Sequence, residues 1–358
     1  MYIEKIFLSD YRNYEKQAVS LGPKLNVICG KNASGKTNLL EAMYLLGVGR
    51  SPRTTRDKEL IRWDRECAYV SAGTVKKYGS SSLEFLIGPG GKRIAVDGLP
   101  IGKLGELMGV CPVVFFSPDE LKLVKDAPVE RRRFMDISLS QQSKTYYYTL
   151  SKYNKILAQR NKLLKTGQAL ADTLPIWDEQ LAATGAKLRE FRLKFIEQLQ
   201  PYALEAHRRL TGGEDLTIGY ENEEGETEAS AIKEGLLKKL IATREKDMRL
   251  FFTGVGPHRD DLRLTANGID VKRFGSQGQQ RTVSLALKLA EVELFYENTG
   301  EYPVLLLDDV LSELDDVRKM RLLQAASHIQ TVITCTEFNF PRGDAVVMEV
   351  SDGTVKRL

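Results

Sequence analysis

The chain has 358 residues, of which 42% are hydrophobic and 28% are charged, and its formal net charge is only +4. This composition is typical of a folded protein with a sizeable core, and it excludes a disordered chain and a uniformly basic one. The four cysteines are scattered without a CxxC pair, which argues against a disulfide framework or a cysteine metal site, and no apolar run reaches the ~20 residues of a membrane helix.

The N-terminal part of the chain reads as strands and hairpins. Short apolar runs at Ile3–Leu8 and Leu25–Cys29 predict β-strands, and the first residues lack the apolar core of a signal peptide. We therefore expect a cytoplasmic protein. Between Cys67 and Val96, alternating segments punctuated by Gly and Pro predict antiparallel hairpins, and Cys111–Phe116 predicts a further strand.

Residues 30–37 read GKNASGKT and fit the P-loop pattern G-x-x-x-x-G-K-[ST]. The apolar run LNVIC precedes them and the helix-like NLLEAMYLL follows, which is the context that a P-loop requires. The backbone N–H groups of such a loop surround phosphates, so Lys36 would contact the β- and γ-phosphates and Thr37 would ligate Mg²⁺. The alternative is a chance match in an ordinary loop. The candidate nucleotide-binding residues are Gly30, Lys31, Asn32, Ala33, Ser34, Gly35, Lys36 and Thr37.

The middle of the chain changes to helical periodicity. A long helix is predicted over Pro128–Lys165, followed by a break at Thr166–Pro175 and a second helix, and the two can pair as an antiparallel hairpin. A strand-like DLTIGYE, an acidic loop ENEEGETE and a helix over about Ala231–Phe251 follow.

The first of these helices carries a candidate DNA-binding surface. No acidic residue occurs from Ile137 to Ala171, and basic side chains are interleaved with tyrosines. Basic residues can neutralise phosphates, and with no base-reading motif present, binding is expected through the DNA backbone and shape. The alternative is a solvated basic helix face. The candidate DNA contacts are Lys144, Lys152, Lys155, Arg160 and Lys162, with Arg53 and Arg56 after the P-loop as a second set.

Two further polar clusters have an open role. The first is Arg131–Arg133, and the second is GVGPHRDDL at residues 254–262. The alternatives to a functional site are structural ion pairs or interdomain contacts for the first cluster, and a tight turn or surface ion pairs for the second.

An acid-free helix start follows at FGSQGQQRTVSLALKLAE, residues 274–291. Helix N-termini favour acidic residues because their dipole end is positive, yet none occurs from Val271 to Ala290. Ser276 can cap this helix and the flanking glycines leave its entrance open, which makes a second anion-binding helix start. One nucleotide can use two such elements if they come from different subunits, which suggests two facing chains. The alternative is an ordinary Ser-capped helix.

The segment YPVLLLDD, Tyr302–Asp309, is an apolar strand that ends in two carboxylates, the form of the Mg²⁺-holding strand in P-loop NTPases. Asp308 would hold Mg²⁺ directly or through water, and Asp309 lies where a general base could polarise the attacking water. With Lys36 these are the candidate catalytic residues. The alternative is an acidic strand end at the surface. The later segments TVITCT and AVVMEV predict buried strands.

Strand-rich ends therefore flank a helical middle. We predict an α/β fold in which one split P-loop ATPase domain contains an inserted, mainly α-helical second domain that forms a short arm. The predicted limits are 1–118 and 250–358 for the two halves of the ATPase domain and 119–249 for the insertion.

The motifs resemble a known superfamily in their order. GKNASGKT, then SQGQQ, then LLLDD followed by SELD, is similar to the order in ABC-type ATPases, including the SMC-like branch. Over nearly the whole chain, LSDYRNY, PVERRRFMD, GVGPHRDDL, SQGQQRTVSLALKLAE and LDDVLSELD resemble the RecF family of bacterial recombination and replication-repair proteins.

The resemblance implies an ATP-dependent DNA-binding protein with a weak, DNA-stimulated ATPase that forms a homodimer on ATP. It implies DNA repair, replication, recombination and the SOS response, with RecO and RecR as partners in loading recombinase where duplex adjoins a single-stranded gap. It also implies roles for particular residues. The signature motif, expected at the γ-phosphate of the opposite subunit, comprises Ser276, Gln277, Gly278 and Gln279. Ser312 and Asp315 belong to the D-loop. Arg12 and Asn13 are expected near the nucleotide.

The chain departs from the wider ABC pattern in three places. Asp309 stands where a Glu is usual, and because the shorter carboxylate reaches less far, slow turnover is expected. Thr334 or Thr336 stands in place of the switch histidine, and FFSPDELKLV contains no Q-loop glutamine. Two alternatives share the motifs: the ATPase subunit of a membrane transporter, and an SMC-like chromosome-bridging protein, for which the arm is too short.

Overall fold

The computed structural model describes residues 1–166, 170–221, 229–337 and 343–358. Most of the predicted acidic loop lies outside these residues. The strands are β1 (Tyr2–Tyr11), β2 (Tyr14–Ser20), β3 (Leu25–Cys29), β4 (Ala68–Lys76), β5 (Gly79–Gly88), β6 (Gly91–Val96), β7 (Leu99–Ile101), β8 (Val113–Phe116), β9 (Leu216–Glu221), β10 (Asp261–Ala266), β11 (Ile269–Asp270), β12 (Val304–Leu307), β13 (Thr331–Cys335), β14 (Val346–Ser351) and β15 (Thr354–Arg357). The helices are α1 (Lys36–Val48), α2 (Lys122–Lys125), α3 (Pro128–Gln142), α4 (Lys144–Thr166), α5 (Leu170–Thr211), α6 (Ala229–Ala242), α7 (Arg244–Leu250), α8 (Val271–Phe274), α9 (Gln277–Thr299) and α10 (Asp316–Ala325).

The chain divides into two compact units. The first unit comprises Met1–Glu120, Ala206–Gly213 and Ser284–Leu358, and the second comprises Leu121–Glu205 and Glu214–Val283. The second unit is thus inserted in the sequence of the first, as the split-domain prediction required. This division groups residues 250–283 with the second unit. The predicted limits assign them instead to the C-terminal half of the ATPase domain, and those limits stay a prediction.

A six-stranded sheet forms the centre of the first unit, in the order β15-β14-β3-β13-β12-β8. All neighbours from β14 to β8 are parallel, and only β15 is antiparallel. Every residue of β8, β12 and β13 is buried, as expected for a parallel sheet covered on both faces. Because β3 and β8 come from the first 120 residues and β12, β13 and β14 from the last 75, the two ends of the chain build one sheet.

The second sheet of the first unit is antiparallel, in the order β2-β1-β4-β5-β6-β7. It contains the predicted hairpins between Cys67 and Val96 as β4, β5 and β6. Helix α1 packs against strands of both sheets, which explains why it is buried on all sides from Leu39 to Val48.

The second unit holds helices α2–α8 and a three-stranded sheet in the order β11-β10-β9. Of this sheet, the sequence predicted the strand-like DLTIGYE, which contains β9. The single helix predicted over Pro128–Lys165 is wrong: Ser143 is extended between α3 and α4, and its Oγ accepts a hydrogen bond from Tyr146 N at 3.2 Å, so a new helix begins there. Thr243 similarly separates α6 from α7. Helix α5 begins before Pro175 and is longer than predicted.

Among the described residues, none of the helices combines the length and the apolar character that crossing a membrane would require.

Candidate functional site

The P-loop lies between β3 and α1, at the carboxyl edge of the parallel sheet, and two of its glycines are required by space. A Cβ atom at Gly30 would come within 2.4 Å of the Val350 carbonyl oxygen, and one at Gly35 within 2.5 Å of Asn13 Nδ2. Both glycines also have positive φ angles, 156° and 117°. Only glycine fits both the space and the backbone conformation at these positions.

Helix α1 begins at Lys36 with an electropositive end. Its first turn contains no acidic residue, and no side chain among the described residues caps it. The buried Lys36 ammonium adds a full charge and donates to the carbonyl oxygens of Gly30 at 2.7 Å and Lys31 at 2.8 Å. Uncapped N–H groups, the helix dipole and an ammonium group together favour the binding of a phosphate.

The acidic strand end meets the P-loop. Thr37 Oγ1 donates to Asp308 Oδ1 at 2.9 Å, and Thr334 Oγ1 donates to the same oxygen at 2.7 Å. The hydroxyl of Thr334 also accepts from Asp309 N at 2.9 Å. Thr334 therefore positions both carboxylate residues.

Asp309 is held in a strained conformation. Its backbone is left-handed, with φ 50°, and its Oδ1 is buried without a hydrogen-bond partner among the described residues. Burial raises the pKa of the neighbouring Asp308; hydrogen bonds from Thr334 and Thr37 oppose this rise, and the charge of Asp309 adds to it. A buried oxygen without a partner next to a carboxyl of raised pKa indicates a place where a cation is favourable.

The residues at this edge fit Mg²⁺. The Thr37 hydroxyl and the Asp308 carboxylate are hard oxygen donors of the kind that Mg²⁺ prefers, and they are already in contact. Within the described ranges, no group of three His, Cys, Asp or Glu side chains forms a metal site by itself. Phosphate and water oxygens would therefore supply the other ligands, as is usual for this ion.

Arg12 and Asn13 both adjoin the P-loop region. Asn13 Nδ2 donates to the Ser34 carbonyl at 2.9 Å, and Arg12 forms a bidentate pair with Glu41 at 2.9 and 2.7 Å. Glu41 is fully buried in α1, and Arg53 approaches it at 3.7 Å. Glu41 was not among the predicted site residues, although a carboxylate inside the apolar run NLLEAMYLL is a visible signal.

The signature segment begins α9. Ser276 Oγ accepts from Gln279 N at 3.2 Å, and Gln279 Oε1 accepts from Ser276 N at 3.0 Å. This reciprocal pair is a capping box, so the expectation that Ser276 caps the helix is confirmed. The S-x-x-Q spacing would have predicted the part played by Gln279. Ser276 and Gln277 are exposed, and Gly278 is half-buried.

The D-loop residues stabilise local turns. Ser312 lies in a short 3-10 helix, Val310–Glu313, and its hydroxyl donates to the Asp309 carbonyl at 2.8 Å. Asp315 caps α10, and the hydrogen bond from Arg318 N lowers the pKa of its carboxyl. Through Ser312, this segment contacts the candidate general base directly.

The basic helix separates into exposed and buried charges. Lys144, Lys152, Lys155 and Lys162 are exposed on α4, and among the second set Arg56 is more exposed than Arg53. Arg160, however, is fully buried.

Arg160 is therefore a correction to the DNA-contact set. Its Nε donates to Asp178 at 2.7 Å and its Nη1 to Asp247 at 2.8 Å, so it is a core ion pair of the second unit. The reason is helical periodicity: Arg160 follows Leu157 by three residues and precedes Leu164 by four, which puts it on the apolar face.

The GVGPHRDDL cluster is also structural in its contacts. Asp260 pairs with Arg189 at 2.6 Å, and Asp261 accepts from Arg131 at 2.9 Å, with both arginines buried. His258 Nε2 lies 3.0 Å from a carbonyl oxygen, to which it must donate, and burial lowers the pKa of His258 to about 4. Within the second unit, Asp260 and Asp261 are therefore in ion pairs, and His258 is neutral at ordinary pH.

Comparison with known proteins agrees with these motifs. The family model "RecF/RecN/SMC N terminal domain" matches residues 2–86. The DNA replication and repair protein RecF of Clostridium perfringens (strain SM101) is 45% identical over 337 residues, which cover 94% of this chain and 93% of that protein.

Solved structures extend the comparison to the fold. The structure of the recombination mediator protein RecF-ATP in the RecFOR pathway is 38% identical, with a TM-score of 0.93, and covers 100% of this chain and 97% of the other. An Smc head bound to the C-winged helix domain of ScpA is 16% identical, with a TM-score of 0.59 and coverage of 100% and 97%, and it supports the fold alone. The predicted split ABC/SMC-like ATPase fold with an inserted unit is confirmed, and the matches favour DNA repair over the transporter alternative.

Proposed function

The chain belongs to the RecF family of DNA replication and repair proteins, and from that premise we propose that it is an ATP-controlled DNA clamp. ATP binding closes a homodimer, the dimer holds DNA where duplex adjoins a single-stranded gap, and slow hydrolysis releases it. The observation that carries the proposal is the contact between Thr37 and Asp308, because it unites the P-loop with the acidic strand end that hydrolysis requires.

ATP is the nucleotide that we assign to the P-loop, since a similar protein is described as RecF-ATP. On binding, the Lys36 ammonium would exchange the carbonyl oxygens of Gly30 and Lys31 for phosphate oxygens. The N–H groups at the start of α1 have no capping side chain among the described residues to displace, so they can donate at once. Arg12 lines an open cavity of about 550 Å³ beside Trp63, and we place the base on this side of the P-loop.

Hydrolysis would depend on Asp309 and Thr334. Thr37 and Asp308 would hold Mg²⁺, and the ion would supply neutralisation of phosphate charge. Asp309 would then orient and polarise the attacking water through the carboxylate oxygen that lacks a partner. Because its side chain is short and is fixed by a strained backbone, we expect a weak ATPase that serves as a binding switch.

Dimerisation would use the signature segment in trans. Ser276 and Gly278 of one chain would contact the γ-phosphate held by the other, with the N-terminus of α9 directed at the anion. The exposure of Ser276 and the absence of acidic residues from the first turn of α9 support this role. Ser312 and Asp315 would couple the presence of ATP at the P-loop to the same dimer interface.

DNA would be bound by the exposed lysines of α4, with Arg53 and Arg56 as a second set. RecO and RecR are the partners that we propose, since the related structure is placed in the RecFOR pathway, and the product of the joint action would be recombinase loaded at a gap.

Sedimentation velocity of an Asp309→Asn variant tests the proposal. This variant should keep ATP bound, so we expect monomers without nucleotide, dimers with ATP and Mg²⁺, and a dimer–DNA complex when gapped duplex is added. Lys36→Met in the same experiment is the control that should stay monomeric. An Asp309→Asn variant that binds ATP but stays monomeric at saturating ATP would refute the clamp.

A further inference from the structure

Two thiols lie at the strand ends next to the P-loop, and the proposed function uses neither. Cys29 is the last residue of β3 and Cys335 the last residue of β13, and they are registered partners in the parallel ladder. Their Sγ atoms are 3.5 Å apart. Sequence spacing gave no sign of this pair, because 306 residues separate the two cysteines.

The surroundings of the pair are apolar. Cys335 packs with Val27 and Val347 and is only 3% exposed, while Cys29 is half-buried at the edge of the same cluster. Burial, and after it the neighbouring Cys29 thiol, raise the pKa of Cys335. Cys29, which solvent reaches, is therefore the thiol that an oxidant meets first.

We propose that Cys29 and Cys335 form an oxidisable dithiol site, and that their disulfide weakens nucleotide binding at the adjacent P-loop. Neighbouring strands lie about 4.8 Å apart, within the range of about 4.4–6.8 Å between Cα atoms that disulfides span. The sulfur atoms must close from 3.5 Å to a bond length of about 2.0 Å.

The oxidant that we name is a peroxide. The Cys29 thiolate attacks one peroxide oxygen, an S–O bond forms, the O–O bond breaks, and the leaving hydroxide takes a proton to become water. The Cys335 sulfur then attacks the Cys29 sulfenic sulfur, an S–S bond forms, the S–O bond breaks, and the hydroxide leaves with the Cys335 proton as a second water. Two thiols lose two electrons and two protons, and hydrogen peroxide becomes two waters.

The disulfide would act on the nucleotide site through the next residues along each strand. Gly30 follows Cys29 and its carbonyl oxygen accepts from Lys36, whereas Thr334 precedes Cys335 and donates to Asp308. An S–S bond at these positions would therefore constrain the backbone beside both halves of the site. This second half of the inference rests on the proposed nucleotide binding.

Peptide mapping tests the site independently of nucleotide. A Cys67→Ser background removes the exposed thiol, while the buried Cys111 remains as an internal reference. After treatment with hydrogen peroxide and alkylation under denaturing conditions, we expect a linked Cys29–Cys335 peptide and a free Cys111. Cys335→Ser and Cys29→Ser are the controls that should give no such peptide. Oxidation of Cys29 to the sulfonic acid without a linked peptide would overturn the proposal.

Titration with a fluorescent ATP analogue tests the coupling. We expect the oxidised protein to bind about tenfold more weakly than the reduced protein, because small displacements in such sites have large effects, and dithiothreitol to restore the affinity. A linked protein with unchanged affinity would overturn the coupling. Failure of the reduced protein to bind the analogue would instead count against the nucleotide site. The peptide map would still show whether Cys29 and Cys335 form a disulfide.

Discussion

Buried charged side chains in this protein fall into two kinds, distinguished by their partners. Arg160 and Arg189 are fully buried and pair with buried carboxylates of the second unit. Asp309 at the P-loop edge has a buried oxygen without a partner among the described residues, and Lys36 is satisfied only by backbone carbonyls. A buried charge with a charged partner is compensated within the fold, whereas one that lacks a charged partner indicates where a ligand binds.

Replacing Lys36 by Met tests the phosphate site. The ammonium would make charge-assisted hydrogen bonds to phosphate, so its loss should weaken ATP binding roughly 100-fold, or ~3 kcal/mol. Isothermal titration calorimetry measures the change. Lys24→Met, an exposed lysine at the other end of β3, is the control that should bind normally. Equal ATP affinity in the two variants would reject the assignment of Lys36.

Replacing Arg160 by Gln separates a structural role from DNA binding. The substitution leaves the buried carboxylate of Asp247 without its ion pair, and we expect a loss of about 3–5 kcal/mol in the free energy of unfolding. Urea unfolding measures this loss, and DNA affinity of the folded protein should stay unchanged. Lys162→Gln, two residues away but exposed, should show the opposite pattern. Weaker DNA binding by folded Arg160→Gln would restore Arg160 to the DNA contacts.

At the scale of elements, α4 has a buried face and an exposed basic face. Tyr146, Tyr153 and Leu164 are buried along one face. Lys144 and Lys155 are 11 residues apart and Lys155 and Lys162 are 7 apart, which are about three and two turns of a helix. These lysines therefore form one exposed stripe, which is the geometry needed to follow a phosphate backbone.

Reversing the charge of this stripe should weaken DNA binding and its salt dependence. In a Lys144→Glu, Lys155→Glu, Lys162→Glu variant, three phosphate contacts are lost. The negative slope of log affinity against log salt should therefore become shallower by roughly three, because each phosphate contact contributes about 0.9 to its magnitude. Fluorescence anisotropy with gapped duplex at several salt concentrations measures it. The charge-matched control reverses Lys187, Lys238 and Lys246, which are exposed elsewhere in the second unit. Equal slopes in the two variants would exclude α4 as the DNA surface.

At the scale of the whole molecule, the two helix starts that we propose bind phosphate belong to different units of each chain. The P-loop and α1 belong to the first unit, and Ser276 belongs to the second. A dimer that pairs them across two chains would give ATP a direct role in assembly, since neither chain would complete the site alone. DNA capture would then depend on the nucleotide through the same dimer.

Replacing Ser276 by Arg should separate nucleotide binding from assembly. A bulky cation at the facing site should abolish ATP-dependent dimers and leave ATP affinity within about twofold, because the P-loop of the same chain is untouched. Light scattering with ATP measures dimers. Ser327→Arg adds the same bulk and charge at another exposed serine and should dimerise normally. Ser276→Ala removes the hydroxyl that caps α9, and the loss of that cap should cost ~1 kcal/mol of stability. ATP-dependent dimers of Ser276→Arg would reject the in-trans role.

Much of the fold and of the nucleotide site was predictable because its signals are local. The P-loop, the acidic strand end of β12 and the hairpins β4–β6 are each encoded in a short run of residues, and the order of motifs indicated a split domain. The helical breaks at Ser143 and Thr243 were not predicted, because continuous apolar periodicity conceals a single residue that leaves the helix.

The sequence by itself predicted the phosphate contact of Lys36 and the Mg²⁺ contact of Thr37, and it indicated the family to which the chain belongs. Only the tertiary structure decided which residues distant in sequence meet. The strand order brings Asp308 to Thr37, 271 residues away, and Cys335 to Cys29. The physical reason is that local patterns follow from backbone periodicity, whereas contacts across a sheet depend on which strands become neighbours and in which register.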